Sequence, residues 1–408
     1  MTKTTAMSLV TFESVTTSEG FDRLEKSWDT LHRVAKGLVF QTFQWNRLWW
    51  KLYGEGLDLH IVLFKSGDDL IGVLPMYREP IKFGVCTVHR MKLLGTYEIY
   101  GEYAPLIHPD FIDALAGSLA KCCESLVESG TTDIVEFFRF TPDSLFMRRL
   151  RESLDGLSTH SSYAPVCMAR VQMELPGTWQ EYVGSLSSSE RNLLHRREKS
   201  LAKQGVALEV IKDPIHAEEA FADFIRLHTS SWSGRGFGGY FEQFRHFGAF
   251  HSEMTSTLMR SGNARLYFYV KDGKRVAAVH AYFVNDSVCF YLSGLDRDHE
   301  LVRYSPGRVL LTVVIRHAIE EGYRIFDFQG GDEEYKFRLG GKLSSFSKLT
   351  VWCRHAPLRV RLFFAVQSSR RYIQDAVLNQ YVIPAFNRLL STLRGHHKHH
   401  ASGDGHDH

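Results

Sequence analysis

Two periods of apolar and polar residues alternate along this chain, one near 3.6 and one near 2, and they divide it into short helices and strands. Residues 8–14 read as a strand and 21–34 as an amphipathic helix. A second helix at 43–53 is heavy with Trp45, Trp49 and Trp50. Strands follow at 59–64, 70–77, 88–93 and 102–107, then a helix at 111–127 and a strand at 133–138. A strand at 168–175 crosses into the second half.

The second half repeats this plan. Helices at 178–186 and 189–204 lead to a strand at 207–211, and helices at 217–231 and 240–260 precede three strands at 265–270, 276–284 and 288–293. Lys271-Asp272-Gly273-Lys274 and Asn285-Asp286 have hairpin-turn composition. A helix from 308 to 321, apolar nearly all round, should lie against a sheet rather than face water. Gly322 ends it and 323–328 has strand composition. From 354 to 394 there are seven arginines and one acid, Asp375, over a helical pattern interrupted by Pro384. Such a basic amphipathic helix lies on an anionic membrane surface or packs on its own protein. The tail 395–408 is His-rich and polar, with a disordered composition and no catalytic role.

The segment RYSPGRVLLTVVIRHAIEEGYRIFDFQGGDEEYKFRLGG, 303–341, organises the chemistry. Pro306 and Gly307 break the preceding structure just before the apolar helix. A first helical turn has unpaired N–H groups and partial positive charge, which suits an anion such as a pyrophosphate. Arg303 and Arg308 bracket this turn, although an ordinary strand-to-helix turn has the same look. Neither a Walker loop nor a GxGxxG fingerprint is present.

The succession SPGRVLL, then AIEEGYRIFDFQGGDEEYKFRLG, resembles the GNAT superfamily of N-acetyltransferases, and within it the CelD-like or FemAB-like branch. SSERNLLHRREKSLAKQG is similar to that branch's arginine-rich helix and FQTFQWNRLWWKLYG to its aromatic early helix. The resemblance covers most of residues 8–353. It implies a mixed α/β (α+β) fold of two tandem GNAT-like units, 1–175 and 176–353, followed by the basic helical segment 354–394. It also implies acyl-CoA as co-substrate, with no permanently bound cofactor. The acyl-CoA loop of the wider superfamily is reduced here to Arg303, Tyr304, Ser305, Pro306 and Gly307. With Arg308, Arg303, Tyr304, Ser305 and Gly307 are the expected coenzyme contacts.

Composition narrows the partners. A chain of 408 residues with net charge +3 gives no bulk attraction to nucleic acid, and none is expected as a partner. Its six cysteines, Cys86, Cys122, Cys123, Cys167, Cys289 and Cys353, form no CxxC pair, so neither a disulfide framework nor a metal site is expected. The N-terminal residues lack the apolar core of a signal peptide, and no run approaches the roughly 18 apolar residues of a membrane span. The expectation is a cytoplasmic protein, peripheral on the inner face of the membrane if the C-terminal helix docks there.

Acyl transfer from a thioester needs a deprotonated amine, a polarised carbonyl and a protonated leaving thiolate, and no covalent intermediate. GxSxG is absent, which counts against an α/β-hydrolase. His280, on a strand face with Ala278 and Tyr282, is a candidate base with an ordinary pKa of about 6.5, or a hydrogen-bonded core histidine. Asp327 either orients His280, or takes a proton through water, or caps the Gly330-Gly331 turn. Tyr335 is a candidate proton donor to the thiolate and Lys336 a candidate phosphate or carboxylate ligand, each with a solvated turn residue as the alternative. By resemblance the helix bearing Arg191, Arg196 and Arg197 borders the acceptor cleft, with Arg191 and Arg196 as acceptor contacts. Trp232 walls that cleft, and Gly234, Gly236, Gly238 and Gly239 read either as a mobile lid or as a long plain connection.

The leading expectation is an acyl-CoA-dependent N-acyltransferase. The resemblance points to an amine of a cell-envelope precursor, such as an exopolysaccharide amino sugar, or to a lipid amine such as a sphingoid base. The alternatives are a FemAB-type aminoacyl transferase and a non-catalytic scaffold in polysaccharide biosynthesis.

Overall fold

The computed structural model describes residues 10–96, 101–157, 159–232 and 239–373. In the first half the elements are β1 (Val10–Val15), α1 (Ser18–Asp22), α2 (Glu25–Val34), α3 (Phe43–Tyr53), β2 (Asp58–Ser66), β3 (Asp69–Phe83), β4 (Cys86–Leu93), β5 (Leu106–Ile107), α4 (Ile112–Glu128), β6 (Ile134–Phe140), α5 (Leu145–Asp155) and β7 (Thr159–Glu174). The second half comprises α6 (Trp179–Ser185), α7 (Ser188–Lys203), β8 (Ala207–Ile211), α8 (Ala217–Trp232), α9 (Tyr240–Gln243), α10 (Phe247–Arg260), β9 (Ala264–Lys271), β10 (Lys274–Val284), β11 (Ser287–Leu295), α11 (Pro306–Glu320), β12 (Ile325–Gly330), α12 (Glu334–Arg338) and β13 (Lys342–Cys353). A last helix, α13 (Leu358–Ile373), follows.

The fold is mixed α/β, built twice on one plan. The strand order is β1-β2-β3-β4-β6-β13-β7-β12-β11-β10-β9-β8, with β5 beside β3. Four strands in sequence, a helix and a parallel fifth strand therefore occur in each half: β1 to β4, α4 and β6, then β8 to β11, α11 and β12. The sixth strands are exchanged. β7, from the first half, pairs with β12, whereas β13, from the second, pairs with β6, and the two pair antiparallel with each other. This exchange makes the sheet continuous, and Met1–Glu79 with His89–Arg354 form one compact unit.

Period-2 burial sorts β10 between two cores. Ala278, His280, Tyr282 and Val284 face α8 and α10, while Ala277, Val279, Ala281 and Phe283 face α11. α11 buries Val309, Leu310, Leu311, Val314, Ile315, Ala318 and Ile319, as its nearly uninterrupted apolar sequence requires. Pro306 supplies the pre-set φ of a first helical residue, and Gly322, at φ 83°, ends the run. Trp45 of α3 joins the halves, its ring meeting Phe250 at 4.9 Å and Tyr291 at 6.1 Å.

Several expectations change here. The helix expected at 21–34 is two, α1 and α2, and that expected at 240–260 breaks where His246 takes φ 60°. The strand expected at 102–107 shrinks to Leu106–Ile107. The strand expected at 168–175 begins instead at Thr159, because β13 lies alongside and pairs with its early residues. α5, α12 and β13 were not expected at all. β13 escapes notice because its Lys and Ser residues look like surface, yet Ser347 is wholly buried at the seam between the halves.

The described part of the smaller unit comprises Pro80–Val88 and His355–Ile373. Within it Phe83 meets Phe363 edge-on at 6.1 Å, and α13 leaves Leu358, Arg359, Arg361 and Leu362 exposed. The rest of the basic segment to 394 and the tail 395–408 lie outside the described residues, as do Gly234, Gly236 and Gly238.

Candidate active site

β11 and β12 begin as a parallel pair and then part. Ser287, Val288 and Cys289 lie opposite Ile325, Phe326 and Asp327, and the pairing ends there. β11 runs on to Leu295 against β10 alone. β12 bulges where Gln329 adopts φ 60°, a left-handed conformation uncommon outside glycine. A wedge opens between the two strands. α8 catches the freed edge of β11: His228 Nδ1 bonds Ser293 O at 2.8 Å, and Leu295 N donates to Ser231 Oγ at 2.7 Å. The helix lies so close that a Cβ on Gly294 would sit 2.7 Å from the backbone nitrogen of His228.

The expected coenzyme contacts gather at the start of α11. Ser305 takes φ 51° and its carbonyl accepts from the amides of Arg308 and Val309 at 3.1 and 3.3 Å. A Cβ added to Gly307 would meet nothing within 4 Å, so the turn is open at that point. Arg303 is exposed and stacks on Tyr304 at 4.9 Å. Arg308 does not reach out alone: its Nη2 lies 2.5 Å from the buried Glu190 Oε1 on α7, a charge contact without hydrogen-bond alignment. Arg197 stands nearby, its pKa lowered by burial and by the Arg308 charge.

Asp327 closes the inner end of the wedge and is buried. Arg170 of β7 donates to its Oδ2 from Nη2 at 2.5 Å, and Gln329 donates to it from N and Nε2, both at 2.8 Å. The same guanidinium reaches Glu102 Oε2 at 2.9 Å and Thr141 Oγ1 at 2.7 Å. Burial alone would lower the pKa of Arg170, but Asp327 and Glu102 hold it above its ordinary value. Asp327 thus makes a charged bridge across the exchanged strands. Its bond to the Gln329 amide agrees with capping the bulge ahead of Gly330, and among the described residues no hydrogen bond joins it to His280.

His280 lies deep under α8 and α10. Its Nε2 shares a 3.1 Å hydrogen bond with Thr255 Oγ1, and the rings of Phe221, Phe224, Tyr282 and Tyr291 surround it. Burial lowers its pKa to about 3, so it is neutral near pH 7 and a poor acceptor of an ammonium proton. Neighbouring His251 is held well below its usual value, by burial first and then by His280 and His228.

The other candidates divide. Tyr335, on α12, is mostly buried, and burial raises its pKa, so it keeps its proton at neutral pH. Lys336 is buried and committed: its Nζ donates to Gly330 O at 2.6 Å and Gly331 O at 3.3 Å and pairs with Glu333 at 2.8 Å, which stitches the turn. That places it inside the turn rather than on a solvated face. Arg191 donates to Gly184 O and Leu186 O at 3.1 and 2.8 Å, satisfying the carbonyl end of α6. Arg196 is exposed, with one bond to Asn192 O on its own helix. Trp232 ends α8 and stands 5.8 Å from the Tyr240 ring and 6.2 Å from His228.

Sequence reasoning passed over Arg170, Glu102, Gln329 and His228. Arg170 interrupts an otherwise apolar strand, Cys167-Met168-Ala169-Arg170-Val171, and that was a readable signal. Gln329 and His228 carried none, since only tertiary contact shows which of their polar atoms are left bare.

A family model described as "Acetyltransferase (GNAT) domain" matches residues 188–337, the stretch from α7 through α12 that contains the wedge. No curated protein matches the chain significantly. Among solved structures, FemX superposes with TM-score 0.58 at 11% identity, over 83% of this chain and 96% of FemX. The C-terminal domain of a putative lysylphosphatidylglycerol synthetase from Agrobacterium fabrum superposes with TM-score 0.51 at 11% identity, over 85% of this chain and 96% of that one. Residues 188–337 therefore match a GNAT acetyltransferase domain, and the chain shares its fold with FemX.

Proposed function

We propose that this protein transfers an acyl group from acyl-CoA to an amine, the thioester entering the wedge between β11 and β12. The observation that carries this reading is the coincidence, inside the family match, of a parted parallel pair with an open helix start at Gly307. The coenzyme diphosphate would lie along Tyr304 to Arg308, where the positive end of the α11 dipole and Arg303 favour negative charge. Tyr335, held protonated by burial, suits the donor that quenches the leaving thiolate. Arg196, exposed on α7, and Trp232 are the acceptor-side contacts of this reading, while Arg191 and Lys336 support it through their turns. Asp327 and His280 act as positioning groups behind the wedge.

The acceptor in this reading is the amine of a cell-envelope precursor, an amino sugar or a lipid amine of the sphingoid kind. Exposed Leu358 and Leu362 beside Arg359 and Arg361 on α13 suit contact with an anionic membrane surface. Among the described residues no helix is long and apolar enough to cross a membrane. The likeness to FemX favours a second reading, transfer of an aminoacyl group.

The test is incubation of the purified protein with acyl-CoAs of graded chain length and a panel of amino sugars and sphingoid bases. Thiol release with a product heavier by the acyl mass is the expected result. Absence of both turnover and CoA binding with every donor would overturn the proposal.

A further inference from the structure

We propose that His228 is the proton acceptor of the transfer reaction, taking the proton of the attacking amine on Nε2. The inference rests on the acyl-transfer reading above and assigns a residue within it.

A carbonyl oxygen can only accept, so the 2.8 Å contact with Ser293 O requires a proton on His228 Nδ1. In the neutral ring Nε2 is then a bare lone pair. His228 is 2% exposed, and among the described residues no group bonds that Nε2. A buried acceptor without a partner costs stability, and a ligand or a water that bonds it recovers that cost.

Location separates His228 from His280, which also has an unbonded nitrogen. Ser293 lies on the part of β11 that has left β12, so the imidazole stands at the edge of the wedge. The Tyr240 ring stacks on it at 5.7 Å, and Trp232 flanks it. His280 is instead sunk in a central strand, between Leu266 and Leu292 in register.

Burial lowers the pKa of His228, opposed by its bond to Ser293, which keeps the ring in its basic form near neutral pH. The titratable groups facing it are Tyr240 on α9 and His251 on α10, and Glu333 and Arg139 act in turn on Tyr240.

For an amine entering as the free base, the nitrogen lone pair forms the N–C bond to the thioester carbonyl carbon. The C–S bond breaks with its electron pair on sulfur. The surplus N–H proton moves to Nε2, Tyr335 gives its proton to the thiolate, and the proton on Nε2 restores Tyr335 through solvent, so amide and free thiol are formed with no net proton.

His228→Asn keeps a donor for Ser293 O and removes the base, whereas His228→Gln places an amide near the Nε2 position. The expected result for the Asn variant is a kcat about 10²–10⁴-fold lower, loss of the acidic limb of the pH–rate profile, and unchanged acyl-CoA affinity. In the wild type, ¹⁵N NMR of His228 should show the Nδ1–H tautomer. Wild-type turnover retained by the Asn variant, an Nε2–H tautomer, or parallel losses of kcat, CoA affinity and melting temperature in both variants would each overturn the assignment. A wild-type protein inactive with every thioester would instead remove the acyl-transfer reading, and this inference with it.

Discussion

The two parallel strand pairs are built alike and surrounded differently. In the first half Arg90, Met91 and Lys92 of β4 lie opposite Ile134, Val135 and Glu136 of β6; in the second, Ser287, Val288 and Cys289 lie opposite Ile325, Phe326 and Asp327. Glu136 and Asp327 therefore occupy equivalent sites. Each has a cation on the exchanged strand, two residues before its partner in register: Lys348 before Thr350, and Arg170 before Gln172. Both fifth strands also bulge, at Arg139 with φ 59° and at Gln329 with φ 60°.

The difference lies in what surrounds the acid. Glu136 pairs with Lys348 at 2.6 Å and Arg90 at 3.3 Å, and Lys92 and Arg90 both reach Glu79. Against burial, which would raise it, Arg90 and Lys348 hold the Glu136 pKa below its ordinary value. On the second side the positions of Arg90 and Lys92 are taken by Ser287 and Cys289, and among the described residues none hydrogen-bonds Gln329 Oε1. Repeated topology supplies a parallel pair twice, but ion pairs crowd the acid of one, whereas beside the other the strands part and leave polar atoms with unused capacity.

The largest expected effect breaks that equivalence. Arg170→Met strands two buried carboxylates, Asp327 and Glu102, and should cost about 3–5 kcal/mol in denaturant titration. Lys348→Met leaves Glu136 its Arg90 and should cost only about 1 kcal/mol. Equal losses would show that the two sites are energetically alike.

Acid should act through the imidazoles of the second half. His280 binds its proton near pH 3 when folded and near 6.5 when unfolded, so the unfolded chain holds more protons between those values. Its contribution is present above pH 6.5 and declines as pH falls towards 3, by up to about 1.4 kcal/mol per pH unit. His280→Leu should flatten the fall of stability below pH 6.5, measured by urea titration at each pH. An unchanged slope would assign the acid sensitivity elsewhere.

The smallest effect sharpens the comparison at the helix starts. Gly307→Glu adds a negative charge where space is open, and should weaken CoA binding about tenfold with little change in melting temperature. Asp110→Lys, ahead of α4 in the first half, should leave CoA binding unchanged. Calorimetry on both variants checks this.

Much of the second half was legible because its signals are local. The apolar run of α11, the Pro-Gly start and the hairpins at Asp272-Gly273 and Asn285-Asp286 follow from neighbouring residues, and Asp272 and Asn285 do take positive φ. The site was legible only in part. Arg303 to Arg308 cluster because they are consecutive, whereas Lys336 and Arg191 have functional side-chain types but spend their polar atoms on carbonyls and a carboxylate inside the protein, and His280 is held by a hydroxyl through Nε2.

By itself, then, the order of residues determined where most helices and strands form and which face of each is apolar, though not α5, α12 or β13, since periodicity and turn chemistry act over a few residues. Tertiary structure alone decided the exchange of β7 and β13, the Arg170 bridge and the bare nitrogen of His228. Those depend on which edges meet across 65 residues of chain at His228 and 157 at Arg170, and backbone edges, unlike side chains, carry the same hydrogen-bonding groups at every position.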